Sequence, residues 1–217
     1  TSSDSKANAN SAGAASGWTV EAEPDAKGAA VVNAINTATK TVDIPIYSII
    51  SSSGEDASFT SYLTAAKARG VNIRVMMNGG YGHASPTVAQ AYLAKLKAAP
   101  GAGTVGVNYS SNNFSITHQK SIITDAADAT GKPLSSDALP STARLVVSTG
   151  NFSAGYPVSN PGPWYGARDF EMTSTNPADI ALAEQTFVSD FSCAPVNVIQ
   201  PPNEQATDRL IWSNGTT

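Results

Sequence analysis

The sequence predicts an α/β fold: a mixed, mostly parallel sheet with helices packed on its faces. Two observations carry this. Between residues 18 and 109, short Val- and Ile-rich runs alternate with segments whose apolar residues recur at three-and-four spacing, as strands joined by helical crossovers do. The chain of 217 residues, 41% hydrophobic and only 14% charged, also has enough apolar material for one large domain. A disordered polyelectrolyte is excluded, because it would combine low hydrophobicity with high charge.

The elements follow in order. Trp18 to Glu23 alternates like a short strand and stops at Pro24. Lys27 to Lys40 places Ala30, Val31, Ala34, Ile35 and Ala38 on one helical face. Thr41 to Ile50 reads as a buried strand despite Pro45. Ser58 to Arg69 is helical, with Phe59, Leu63 and Ala66 on one face and Gly70 as the stop. Val71 to Met77 is the next strand. Ser85 caps a helix that carries Pro86 in its first turn and ends near Ala98, before Pro100 and Gly101. A strand over Thr104 to Tyr109 follows. Beyond residue 113 come three strand-like runs, Ser115 to Thr124, Arg144 to Phe152 and Arg168 to Thr175. Two long polar loops, 126–142 and 153–167, separate them and are candidates for functional surface. Ala178 to Phe191 closes the region as a helix.

Residues 1–17, rich in Ser, Ala and Asn, read as a flexible leader on the mature side of a removed signal peptide. With few charges and many Ser and Thr, this points to an exported bacterial protein. Residues 18–192 form the globular domain. Residues 193–208, with three prolines, read as a linker. Residues 209–217 read as the start of a second repeat, echoing the Trp-containing strand at Trp18, or as a C-terminal strand on the sheet edge. The lone Cys193 makes neither an internal disulfide nor a Cys-based metal site. No stretch approaches the roughly 20 apolar residues of a membrane-spanning helix. The net charge of −4 argues against tight non-specific nucleic-acid binding.

Two histidines are present. His83 sits in a Gly-rich turn whose Gly79, Gly80 and Gly82 lack the spacing of a phosphate-binding or dinucleotide fingerprint; it reads as a packing or capping residue. His118 differs, because Lys120 stands two residues on and a strand would present both on one face. Thr149 and Asn151 repeat the i, i+2 pattern in the next run, and Asp169 and Glu171 in the third. If these strands are neighbours, the pairs converge on one cluster. Such a cluster suits phosphoryl transfer without a metal. Lys120 and the Asn151 amide can meet charge on phosphate oxygens, an imidazole can attack phosphorus, and a carboxylate behind it stabilises the imidazolium.

The string His118-x-Lys120-x-x-x-x-Asp125, followed by Ser148-Thr149-Gly150-Asn151, resembles the HKD motif and the downstream Asn element of the phospholipase D superfamily. Val42-Asp-Ile-Pro-Ile-Tyr and Val71-Asn-Ile-Arg-Val-Met-Met also resemble it, so the likeness covers roughly residues 18 to 192. The resemblance implies an α-β-α sandwich and a phosphodiesterase that needs no cofactor or metal. It hydrolyses or transfers phosphatidyl groups through a phosphohistidine. His118 would be the nucleophile or the general acid. Lys120, Thr149 and Asn151 would contact the phosphate, and Asp169 would back the imidazole, with Glu171 as second choice. Asp125, sent by strand alternation to the other face, would support the motif. The family's chemistry also implies a second HKD motif, from a C-terminal half or from a homodimer partner. Position 148 is Ser where the family often has Gly. An HKD endonuclease and a non-catalytic binding domain are the alternatives; the absence of a Lys/Arg cluster near the motif counts against nucleic acid. Trp164 and Tyr165 in the second polar loop are expected to border the substrate entrance, where they would touch a lipid surface.

Overall fold

The computed structural model describes residues 17–51, 54–55, 57–80, 86–110, 115–152, 168–193, 205–206 and 211–212. In chain order these form β1 (Trp18–Ala22), α1 (Ala29–Thr37), β2 (Thr41–Ile46), the short pair β3 (Ile50–Ser51) and β4 (Gly54–Glu55), and α2 (Ala57–Ala68). Then come β5 (Asn72–Met77), α3 (Pro86–Ala98), β6 (Val105–Tyr109), β7 (Ser121–Thr124), β8 (Arg144–Ser148), β9 (Phe170–Ser174), α4 (Pro177–Cys193), β10 (Gln205–Ala206) and β11 (Ile211–Trp212).

Seven strands share one sheet in the order β1-β9-β8-β7-β2-β5-β6. Alternation along β2 explains its two-sided burial. Val42, Ile44 and Ile46 enter the core formed with α1, α2 and α3, whereas Asp43 faces α4 through Arg74 and Glu184. Pro45 is tolerated because the ladder to β7 is interrupted there, pairing at Val42 and Asp43 and resuming only at an isolated bridge between Ile46 and Lys120. A smaller core of Met76, Ile123, Leu145, Ile180 and Phe187 fills the α4 side. Each such large side chain contributes on the order of 1.5–3 kcal/mol when fully buried.

The expectation of a mostly parallel sheet does not hold. Only β2–β5 and β5–β6 are parallel; the pairings of β2 with β7, β7 with β8, β8 with β9 and β9 with β1 are antiparallel. The reason is the connections. Parallel neighbours need a crossover, which α2 and α3 provide, but no α-helix lies between β7 and β8 or between β8 and β9 among the described residues, and there the chain reverses.

The strands of the second half are also shorter than the sequence indicates. The run Ser115 to Thr124 is a regular strand only from Ser121, because β2 ends at Ile46 and leaves the preceding residues nothing to ladder against. β8 stops at Ser148 and β9 begins at Phe170. Helix α4 begins at Pro177 itself, capped by Asn176, whose Oδ1 accepts the N–H groups of Ala178 (2.9 Å) and Asp179 (3.3 Å). Near the C-terminus β10 pairs with β11 as a separate two-stranded ribbon.

Candidate active site

Strand tails and heads meet at one end of the sheet. Lys120 is laddered between two strands: it bridges Ile46 at the tail of β2, and its carbonyl accepts the Ser148 N–H of β8 at 2.8 Å. Just before it, the Gln119 carbonyl accepts the Tyr47 N–H at 2.6 Å. Asn78, at the end of β5, holds the approach to this segment: its Oδ1 accepts the Thr117 N–H at 2.8 Å and the Gly80 N–H at 3.0 Å. The polar pair therefore lies on an irregular extended segment pinned at three points.

His118 is exposed, whereas Lys120 is buried. The Lys120 Nζ stands 3.1 Å from His118 Nε2 and donates to the His118 carbonyl at 3.0 Å. Burial, reinforced by the Lys120 charge, pushes the His118 imidazole below its ordinary range. Burial likewise pulls the Lys120 ammonium down to about 8, against the attraction of Asp169. The Tyr47 ring completes the group, edge-on to His118 with centroids 4.7 Å apart and 5.3 Å from the Lys120 Nζ.

Asp169 is positioned from β8. The Thr149 hydroxyl donates to Asp169 Oδ1 at 2.8 Å and accepts the Phe170 N–H at 2.9 Å, while the Thr149 N–H reaches the Phe170 carbonyl at 3.0 Å. The other carboxylate oxygen, Oδ2, is buried with no hydrogen-bond partner, and so is Oδ1 of Asn151. Buried polar atoms without partners are uncommon and call for an explanation. The structure thus places His118, Lys120, Thr149 and Asp169 around one site, with Thr149 and Asn151 just beyond β8 rather than on it. In this arrangement the Thr149 hydroxyl proton is directed to Asp169 Oδ1.

Asp125 does different work. It adopts φ 55°, in the left-handed region that Asp tolerates better than most residues. Its carboxylate accepts the N–H groups of Thr39, Lys40 and Thr41 and the hydroxyls of Thr39 and Thr142, at 2.5–3.2 Å. This stitches the α1–β2 turn and the β7–β8 loop together, at the opposite end of β7 from Lys120. Glu171 is 1% exposed and turns to α1, where the Val31 N–H donates to its Oε2 at 3.4 Å. Burial, together with Glu23 and Glu21, drives its carboxyl up to about 8. Glu23 lies beside it and accepts the Gly28 N–H at 2.8 Å. Two carboxyls, one on β9 and one just after β1, therefore cap a helix whose own cap residue, Gly28, brings no side chain. His83, Trp164 and Tyr165 lie outside the described residues. Sequence reasoning missed Tyr47; its signal was an aromatic directly after a parallel strand, where α/β sheets bind ligands.

The family described as "Cardiolipin synthase, PLD-like domain" matches residues 31–157, more than half of the chain and the whole His118 to Asn151 stretch. The chain belongs to the phospholipase D superfamily. Solved structures carry the same fold at low identity. NucT from Helicobacter pylori matches with a TM-score of 0.53 and 15% identity, over 81% of this chain and 95% of that one. The polyphosphate kinase of Porphyromonas gingivalis matches with a TM-score of 0.53 and 16% identity, over 84% of this chain but only 27% of the kinase. No curated protein matches. In this phospholipase D-like domain the HKD string is thus split: His118 and Lys120 stand at the open end of β7, while Asp125 locks its far end.

Proposed function

We propose that the chain is a phosphodiesterase of the phospholipase D type that hydrolyses or transfers phosphatidyl groups through a phosphohistidine on His118. The observation that carries this is the 3.1 Å approach of the Lys120 Nζ to His118 Nε2, beside a carboxylate held by a hydroxyl. The imidazole attacks phosphorus, forming an N–P bond as the P–O bond to the leaving alcohol breaks. That alcohol takes its proton from the imidazole of a second HKD motif, in a second copy of the chain or in a C-terminal half. Water or another alcohol then attacks the phosphohistidine and releases the phosphatidyl product. Lys120 and Asn151 hold the phosphate oxygens, which leaves no step that needs a metal. Asp169 supports the positive charge that His118 gains. A phospholipid is favoured over nucleic acid because the chain carries 13 Lys and Arg against 17 Asp and Glu, and Lys120 is the one basic side chain beside His118 among the described residues. Action on lipid aggregates outside the cell fits the Ser- and Thr-rich composition and the aromatics Trp164 and Tyr165.

The test offers the purified chain a soluble chromogenic phosphodiester, phosphatidylcholine vesicles and single-stranded DNA, each with EDTA. Turnover of the first two, with an acid-labile phosphoryl adduct on His118 after quenching, is the expected result. Preference for DNA would move the substrate to nucleic acid. Activity that vanishes in EDTA and returns with Mg²⁺, Ca²⁺ or Zn²⁺ would sink the metal-free mechanism.

A further inference from the structure

Lys120 is an ammonium 5% exposed to solvent, and it has no ion-pair partner among the described residues, where both ion pairs belong to Arg74. A desolvated cation needs compensation. Two of its contacts go to His118, to Nε2 and to the backbone carbonyl. What remains on its other side is the Tyr47 ring, 5.3 Å from Nζ, within the range of a cation–π contact. The same ring meets the His118 imidazole edge-on, at 4.7 Å and 61°. Main-chain bonds hold this arrangement, because the Tyr47 N–H donates to the Gln119 carbonyl and Ile46 bridges Lys120. These bonds fix the Tyr47 main chain beside the pair, at the β2–β7 junction.

We infer that Tyr47 is a positioning residue, whose ring is the shared wall that keeps the Lys120 ammonium charged and the His118 imidazole aimed. The inference rests on the reading of His118 and Lys120 as the phosphate-handling pair and deepens it. Among the described residues the charged and titratable groups facing Lys120 are few: His118 on its own segment, Asp169 ahead of β9 and Tyr47 after β2. β8 meets Lys120 through the Ser148 N–H and brings no charge there. Removing the ring takes away a neutral group that favours the ammonium form, while the His118 carbonyl stays in place. Removing only the hydroxyl does not.

The experiment follows the ¹³Cε signal of Lys120 and the ring nitrogens of His118 by NMR across pH 5 to 10, in the wild type, Tyr47→Phe and Tyr47→Leu. Tyr47→Phe is expected to titrate like the wild type and to retain its turnover of a soluble diester. In Tyr47→Leu the Lys120 midpoint is expected to fall from about 8 by roughly half a unit to one unit, the worth of a desolvated cation–π contact. The alkaline limb of its kcat profile should move with it, and kcat should fall about tenfold. An unchanged Lys120 midpoint in Tyr47→Leu overturns the inference. Should that variant fail to fold, nuclear Overhauser contacts from the Tyr47 ring to the Lys120 ε-protons in the wild type decide, and their absence overturns it equally. The titrations need no turnover. A wild type that titrates as expected yet cleaves no phosphodiester would refute the proposed function and uphold the wall.

Discussion

Two buried cationic clusters lie on opposite faces of the same sheet, and they are built on opposite principles. Toward α4, Arg74 closes on itself. Its Nε and Nη2 grip Asp43 at 2.6 and 2.8 Å, Nη2 also reaches Glu184 at 2.7 Å, and Nη1 donates to the Gly131 carbonyl at 2.9 Å. Its guanidinium lies over the rings of Phe187 and Phe191 at 5.1 and 5.9 Å. All three guanidinium nitrogens of Arg74 are thus engaged, two of them on carboxylates, although Glu184 keeps its Oε2 without a hydrogen-bond partner. At the other site Lys120 touches an imidazole and a ring instead of a carboxylate, and both Asp169 and Asn151 keep a buried oxygen without a partner. The difference teaches how to separate a structural cluster from a reactive one: among the described residues the first cation is matched by carboxylates, and the second is not.

The largest expected effect falls on the open cluster. His118→Asn should lower turnover of a phosphodiester by about 10² to 10⁴-fold or more, with an unchanged melting temperature, because the residue is exposed and removes covalent or acid catalysis alone. A parallel loss of stability would erase the contrast between the clusters. Arg74→Met should do the reverse. It strands Asp43 and Glu184 in the interior, which should cost about 3–5 kcal/mol in denaturant titration while turnover per folded molecule stays near the wild-type value.

The effect that is smallest at any one step of pH concerns Glu171, whose carboxyl is raised from 4.5 to about 8 by burial and by Glu23 and Glu21. The folded state holds a proton that the unfolded chain has already released, so stability is full below pH 4.5 and declines as pH rises toward 8. Across that window this residue should remove about 1.4 kcal/mol per pH unit. Glu171→Gln cannot titrate, so its plot of unfolding free energy against pH should be flatter by that slope. Equal slopes in the two proteins would mean that Glu171 is ionised and paired, and that the region beside the site is closed after all.

Much of this architecture was legible in the amino-acid string. Apolar spacing marked α1 and α2, start and stop residues marked α3, and Val/Ile runs marked β2, β5 and β6, because local periodicity reports burial wherever one face of an element meets a core. The second half was less legible. Thr149, Asn151 and Asp169 were read as strand residues, whereas strand assignment depends on a partner's backbone, and that partner stops at Ile46, Ser148 or Phe170. Strand direction was misread for the same reason: the number of crossovers decides it, and no residue spells out a crossover.

By itself the sequence determined the inventory. It set the order of helices and strands in the first half, and the chemical identity of His118, Lys120, Asn151 and Asp169 at family spacing. Only the tertiary structure decided their parts. It set the Thr149 hydroxyl against Asp169, sent Glu171 to cap α1, spent Asp125 on the α1–β2 turn and brought Tyr47 against Lys120. The physical reason is that each of these assignments is a contact between segments far apart in the chain. Side-chain type limits which bonds a residue can make, but the bond it does make is set by what folding places within about 3 Å of it.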